Sequence, residues 1–245
     1  MIRKKAAIIL AAGKGKRMKS DIPKVLHTID GKPLITHLLE TLSKMDFDKI
    51  VLVIGHKGEQ VIEQTRDFEV EYVWQKEQLG TGHAVLMAKD LFEGYDGDII
   101  VAAGDVPFLS RESINKVFDT HIKNNVAATC LSADFDDSTG YGRIIRKPGT
   151  DILLDIIEEK DADPDTKKIR EINSGTFCFD CRSLFSILQK VGNNNAQKEH
   201  YLTDTIKLLN AEGKTCAVVK ASNPLEVKGI NSAEELAAIE KEIKN

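Results

Sequence analysis

The sequence predicts an α/β protein built on a doubly wound, mostly parallel sheet. Three observations carry that expectation. Short apolar runs at residues 6–12, 49–54 and 70–74 alternate with stripes of helical spacing. Glycine-bearing loops follow the runs, where ligands bind in such sheets. The 245 residues are 42% hydrophobic, enough for a sizeable core.

The first run is small and β-branched in its middle (Ile8, Ile9), as suits a strand buried on both faces. It stops at Leu10-Ala-Ala-Gly-Lys-Gly-Lys-Arg-Met18. Gly13 and Gly15 let the backbone turn and bring its N–H groups close to an anion. Lys14, Lys16, Arg17, Lys19 and Lys24 stand against Asp21 alone, on a chain whose net charge is −4. A cationic loop on an acidic protein points to a phosphate site rather than a general basic surface. Two standard phosphate loops do not fit. A Walker A loop needs Gly-Lys followed by Ser or Thr, and Gly13-Lys14 and Gly15-Lys16 lead to Gly15 and Arg17. A dinucleotide fingerprint needs glycine where Met18 stands.

Residues 33–44 carry Leu34, Ile35, Leu38, Leu39 and Leu42, a helical stripe with proline in its first turn. Residues 49–54 read as a second buried strand, a helix follows around Val61 and Ile62, and residues 70–74 read as a third strand. The next loop, 75–82, has two amides and two glycines around Thr81, and opens a helix expected over residues 83–92. Its amides and exposed backbone suit the edge of a base as well as an ordinary helix start.

A fourth strand, residues 98–103, ends in Gly104-Asp-Val-Pro107 and puts one carboxylate at the carboxyl end of a buried run. Ser110 is placed to cap the following helix. Asp105 is then free to hold Mg²⁺, which takes one or two protein oxygens and completes its shell with phosphates and water. Past residue 125 the alternation is less regular. Strand-like runs at 126–133, near Ile144 and at 152–157 surround the glycine turn Thr139-Gly-Tyr-Gly-Arg143. Glu158 and Asn173 flank a polar excursion and form a pair able to bind sugar hydroxyls and an amide, though surface polarity alone also accounts for them. A helix, a strand near residues 216–220, Asn231 and a Ser232-Ala-Glu-Glu235 capping box follow. The box starts a last helix with Leu236, Ile239 and Ile243 on one face.

Composition excludes several partners. With 29% charged residues and a net acidic balance, the electrostatic footprint of a nucleic-acid binder is missing. No apolar run approaches the roughly 20 residues of a membrane span. Arg3-Lys-Lys5 before an apolar stretch imitates a signal peptide, but that stretch is minimal and runs straight into lysines. Cys178 and Cys181 have redox or zinc spacing in the wrong context, with Cys130 and Cys216 isolated in strand-like runs. Buried thiols and a cytoplasmic location are expected.

Several of these pieces in chain order resemble one family. They are Leu10-Ala-Ala-Gly13 with Arg17, Pro23-Lys24, Gln75 with Gln78-Leu-Gly-Thr-Gly-His83, Gly104-Asp-Val-Pro107, Gly140-Tyr-Gly-Arg143, Glu171-Ile-Asn-Ser-Gly175, Asn193-Asn-Asn-Ala-Gln197 and Gly229-Ile-Asn231. The chain resembles the uridylyltransferase domain of the bacterial bifunctional N-acetylglucosamine-1-phosphate uridylyltransferase. The resemblance implies a Rossmann-like sheet of the nucleotide-diphospho-sugar transferase type. It also implies a small-molecule reaction, in which UTP and N-acetylglucosamine-1-phosphate give UDP-N-acetylglucosamine, a cell-wall precursor, and pyrophosphate. By resemblance, Leu10, Ala11, Ala12 and Gly13 with Gln75, Gly80 and Thr81 would bind the nucleotide. Arg17 and Lys24 would neutralise the triphosphate, and Asp105 and Asn231 would hold Mg²⁺. Gly140, Glu158 and Asn173 would bind the sugar and its acetamido group.

Two departures qualify it. Ala103 stands where family members often carry tyrosine, so one contact near the nucleotide sugar is expected to change. The family's second half, a left-handed β-helix that acetylates glucosamine-1-phosphate and builds the trimer, has no counterpart in these residues, so no acetyl transfer is expected. Residues 1–229 are expected to form the nucleotidyltransferase domain and 230–245 a connector-like helix. Two competing readings are a sugar-1-phosphate nucleotidyltransferase of different base or sugar choice and a non-catalytic nucleotide-sugar sensor. Retention of Arg17, Lys24, Asp105 and Asn231 argues against the sensor.

Overall fold

The computed structural model describes residues 3–18 and 20–243, with only the backbone of Lys16, Glu242 and Ile243. Lys19 of the cationic run, and the Ile243 side chain of the expected last stripe, lie outside the described residues. In chain order, β1 (Lys4–Ala11) leads to a small hairpin of β2 (Thr28–Ile29) and β3 (Lys32–Pro33), then to α1 (Leu34–Leu42) and β4 (Lys49–Ile54). Next come α2 (Gly58–Thr65), β5 (Glu71–Trp74), α3 (Thr81–Leu86), β6 (Gly97–Ala103), α4 (Arg111–Asn124) and β7 (Ala128–Asp134). The remainder is β8 (Arg143–Arg146), β9 (Leu153–Ile157), β10 (Glu171–Asp180), α5 (Cys181–Leu188), α6 (Asp204–Ala211), β11 (Cys216–Lys220) and α7 (Ala233–Ile243).

The main sheet runs β11-β7-β10-β6-β1-β4-β5, with β8 and β9 attached through β10. β1 pairs in parallel with both β4 and β6. Strand periodicity divides the core between the two faces. Ala6 and Ile8 join Val51, Val53, Ile99 and Val101 under residues of α3, α5 and α6. Ala7 and Ile9 join Leu52, Ile54 and Ile100 under α1, α2 and α4. A strand covered on both sides must be apolar at every position, which is why β1 reads as an unbroken run.

The chain leaves β1 toward β4 and β5 and then crosses back to β6, so the sheet reverses direction of growth between β1 and β6. Crevices at such a reversal open at the carboxyl ends of the strands. Leu10 to Gly13 and Ala103 to Asp105 therefore lie side by side, with Gly104 N–H donating to the Leu10 carbonyl at 2.9 Å.

Three elements depart from the simplest alternation. β10 is antiparallel to both β6 and β7. A β8–β9 hairpin, rather than a crossover helix, precedes it, so the chain re-enters the sheet from the opposite end. The register of β10 against β7 shifts between Asn173 and Phe177, around Gly175 at φ +76°. Such a bulge re-aims the neighbouring side chains, Asn173 among them. The helix expected over residues 83–92 stops at Leu86, and a 3-10 turn takes up Lys89–Phe92. There the buried Phe92 packs against Tyr95 and Phe185, a tertiary demand that overrides a straight continuation.

α7 returns to the same end of the sheet as the crevice. Ile230 and Ile239 pack on Ile29 and Leu34 in a separate apolar cluster. All four cysteines are free and buried. Burial pushes the Cys181 thiol up to about 11 and the Cys216 thiol up to about 12. Among the described residues, no helix is long and apolar enough to cross a membrane.

Candidate active site

The loop after β1 is held by two close approaches. Gly15 has φ +58°, and a Cβ there would sit 2.8 Å from the Lys24 Cβ. Only glycine tolerates both the turn and the contact. Gly13, by contrast, has nothing within 4 Å of where its Cβ would be, so its backbone stands bare at the crevice. Met18 is buried and anchors the short 3-10 turn that carries Arg17.

From opposite ends of the sequence, four polar groups meet at this point. Lys24 Nζ pairs with the Asp105 carboxylate, and both side chains are mostly buried. Lys24 also donates to Asn231 Oδ1 at 2.7 Å, and Arg17 Nη2 donates to the same oxygen at 3.0 Å. Asn231 arrives because Ile230 N–H donates to the Asp105 carbonyl at 3.0 Å. Gly229 lies against the Asn231 amide and the Asp105 carboxylate, with its Cβ position 3.4 Å from Asn231 Nδ2. Ser110 caps α4 as expected, accepting from Ser113 N–H, which leaves Asp105 outside the cap.

A cleft of about 770 Å³ opens beside this cluster. Leu10, Ala11, Ala12, Gly13, Lys24, Gln75, Gly80, Thr81 and Asp105 all line it. Its far wall is the 75–82 loop, fastened to residues 199–202. Gly82 N–H donates to the His200 carbonyl at 2.8 Å, His200 N–H to the Leu79 carbonyl at 2.7 Å, and Leu202 N–H to Thr81 Oγ1 at 3.0 Å. A Cβ on Gly80, at φ +115°, would lie 2.5 Å from the His200 oxygen, so this contact excludes any other residue.

Gly140, Glu158 and Asn173 form a second group that does not line that cleft. Asn173 N–H donates to the Gly142 carbonyl at 2.8 Å, and the Cβ position of Gly142 is 3.3 Å from Glu158 Oε2. Asn173 Oδ1 accepts from Gly175 N–H at 2.9 Å. Glu158 Oε1 accepts from Thr203 Oγ1 at 2.9 Å. Burial raises the Glu158 carboxyl above its ordinary value, against the Thr203 hydrogen bond, and Asp204 and Asp161 add to the rise. The turn itself is pinned by Arg143, only 2% exposed, which reaches the Tyr141 carbonyl and pairs with Glu159 at 2.7 Å. Glu159 also accepts from Gly140 N–H.

Tyr141 links the two groups. Burial, then the Glu235 and Asp105 carboxylates, push its phenol up to about 12, while Gly229 N–H and Arg17 oppose the rise. It is a neutral hydroxyl beside the Asp105 cluster at any physiological pH. Sequence reasoning quoted this tyrosine inside a glycine turn without assigning it a role. Nor did it assign roles to Glu199, which lines the cleft, or to Glu235, whose carboxylate holds Asn231. The one available signal for Glu235 was its place in a capping box.

The donors fit a hard divalent cation of the magnesium kind. No group of three His, Cys, Asp or Glu side chains able to hold a metal occurs among the described residues, so an all-protein zinc or calcium cage is not formed there. One carboxylate and one amide carbonyl instead face a shared cation, the Lys24 ammonium, leaving the rest of a shell to water and phosphate.

Comparison with known proteins agrees with this architecture. The chain is 45% identical over 236 residues to the bifunctional protein GlmU of Clostridium novyi, covering 96% of this chain and 51% of that one. It is 45% identical over 235 residues to the bifunctional protein GlmU of Enterococcus faecalis, again covering 96% and 51%. It thus spans about half the length of these relatives. A crystal structure of UDP-glucose pyrophosphorylase complexed with UDP-glucose superposes with a TM-score of 0.78 at 18% identity, covering 98% of each chain, which shows a shared fold. The model of the MobA-like NTP transferase domain matches residues 7–199, and the chain belongs to that family.

Proposed function

We propose that the chain is a sugar-1-phosphate uridylyltransferase that joins UTP and N-acetylglucosamine-1-phosphate into UDP-N-acetylglucosamine and pyrophosphate. The observation that carries this reading is the meeting of Arg17, Lys24, Asp105 and Asn231 at the mouth of the cleft. Two cations beside one carboxylate and one amide carbonyl form a receptor for a triphosphate with its counter-ion. The GlmU relatives and the resemblance of the sugar-side motifs support the choice of substrates.

In this reading, the backbone of residues 10–13 lies along the nucleotide, and the 75–82 loop reads the base. Arg17 and Lys24 face the phosphates and meet the charge that builds on the departing pyrophosphate. Asp105 and Asn231 would hold Mg²⁺, which when bound neutralises phosphate charge and orients the α-phosphate. The sugar phosphate oxygen is already anionic near neutral pH, so its in-line attack needs no protein base. Gly140, Glu158 and Asn173 hold the sugar so that this oxygen is in line, and positioning then supplies much of the rate.

The experiment is magnesium-dependent release of pyrophosphate by the purified chain, with UTP and a panel of sugar-1-phosphates. Turnover should be highest with N-acetylglucosamine-1-phosphate, and Asp105→Ala should reduce it at least about a hundredfold. Wild-type turnover in that variant across a magnesium titration would remove Asp105 from the site. For these 245 residues we propose nucleotidyl transfer alone. Acetyl transfer from acetyl-CoA to glucosamine-1-phosphate would overturn that.

A further inference from the structure

We propose that His83 Nδ1, as the second acceptor beside the Gly80 carbonyl, locks the plane of the Gln75 side-chain amide and so sets the base preference of the cleft, with the amide oxygen left for the base; this rests on reading the cleft as a nucleotide site. Gln75 is 3% exposed and lines the cleft, so its amide cannot exchange partners with bulk water at little cost. Its Nε2 donates to the Gly80 carbonyl at 3.0 Å and lies 3.0 Å from His83 Nδ1.

The polarity of this network follows from its fixed members. A carbonyl only accepts, so the atom facing Gly80 must be the nitrogen. That carbonyl does not swing away, because Gly80 and Gly82 are clasped against His200 and Thr81 is bonded to Leu202. The second Nε2 hydrogen then points at His83 Nδ1, which has to be a lone pair. His83 is therefore the neutral Nε2–H tautomer, and the Glu77 carbonyl is available to accept from its ring N–H. Burial, with His200 nearby, lowers the affinity of the His83 ring for a second proton.

With both amide hydrogens engaged, Oε1 is the Gln75 atom without a protein partner among the described residues. An acceptor fixed there pairs with a ring N–H and opposes a ring lone pair. Uracil presents N3–H, whereas cytosine, of the same size, presents a lone pair at N3. Discrimination of this kind is large when the wrong base leaves buried polar groups unpaired. His83 is thus a positioning residue for specificity and does not itself touch the base.

The test compares kcat/KM for UTP and CTP in the wild type, His83→Phe and His83→Asn. Phenylalanine keeps the ring and removes the acceptor; asparagine can place Oδ1 near the position of Nδ1. The UTP-to-CTP ratio should fall at least tenfold in His83→Phe and stay within threefold of wild type in His83→Asn. An equal loss on both nucleotides in His83→Phe, leaving the ratio unmoved, would make His83 merely structural and overturn the proposal. A wild type inactive on every nucleotide would instead defeat the reading of the cleft. The proposal falls with that reading; if only the variants fail to fold, the His83 tautomer read by ¹⁵N NMR on the wild-type chain decides. The Nε2–H form supports the proposal and the Nδ1–H form overturns it.

Discussion

The Glu235 carboxylate accepts the backbone N–H of Asn231 at 2.7 Å, while Ser232 Oγ accepts from Glu235 N–H at 3.1 Å. The glutamate of the helix cap thus reaches one residue beyond the usual reciprocal partner and grips the amide-bearing residue of the Lys24–Asp105 cluster. The start of α7 becomes a bracket for Asn231 Oδ1. Glu235→Ala should therefore act on the site as well as on the helix. Its Tm loss should be small, matching about 1 kcal/mol for a lost cap. Its magnesium requirement, read as the concentration for half-maximal turnover, should rise at least about tenfold, the low end for losing an outer-shell partner. A changed Tm with an unchanged magnesium profile would mean the bracket does not govern Asn231.

Arg17 tests the opening loop. It is exposed, and among the described residues its side chain hydrogen-bonds Asn231 Oδ1 at 3.0 Å through Nη2, which leaves the rest of its planar fork facing outward. A point charge should serve less well. Arg17→Lys should lose at least about tenfold in kcat/KM for UTP, roughly 1.4 kcal/mol of transition-state stabilisation, and Arg17→Ala more. Near-wild-type kinetics in both variants would reduce the loop to a solvated basic surface.

The parts of the fold legible in the sequence are those set by local pattern. β4 spans Lys49–Ile54 as expected, and β1 and β6 follow their apolar runs, because a strand buried on both faces has no alternative composition. The antiparallel course of β10 was not legible. It depends on how residues 135–170 return the chain, and an apolar run reads the same in either direction. In the site, Asp105 stood out because it ends a buried strand. Its partner Asn231 was placed by resemblance alone, since a lone amide far along the chain carries no local signal. Tyr141 and Glu235 reach the cluster only through tertiary packing, so the turn and the cap were visible while their second roles were not.

At the opposite end of β6 lies a charge the site does not use. Asp98 is 0% exposed, with Arg3 Nε at 2.9 Å and His121 Nε2 at 3.3 Å from its Oδ1. Arg3 also pairs with Asp180 at 2.6 Å, tying the start of β1 to the end of β10. Arg3 is partly exposed and keeps Asp180, so removing Asp98 strands chiefly the buried His121 ring and costs about 1–3 kcal/mol, the penalty of a buried polar group left unpaired. Asp98→Ala should lower stability on that scale in denaturant titration, while kcat/KM of the folded fraction stays within about twofold of wild type, as expected for distant independent sites. A stability change under about 1 kcal/mol would mean the cluster is hydrated rather than buried.

The last expectation concerns acidity at Glu158, whose carboxyl is raised above its ordinary 4.5, first by burial and then by Asp204 and Asp161. The sign differs between folding and binding. A raised folded value means that protonation favours the fold: this group's contribution is present below its unfolded value and is lost as pH rises through the raised one. Binding a sugar hydroxyl through the carboxylate runs the other way and weakens as pH falls through that same raised value. KM for the sugar phosphate should therefore climb toward acid pH without a matching loss of stability from this residue. The phosphate of the substrate also titrates near pH 6, so the comparison that isolates Glu158 is with Glu158→Gln. That variant should have a higher KM at pH values where the wild-type carboxyl is ionised, yet its profile should keep only the substrate's own titration. Measured from the alkaline side downward across the range in which the protein stays folded, the two log KM curves should converge as pH falls. Curves that stay parallel across that range would show that the Glu158 carboxylate does not hold the sugar.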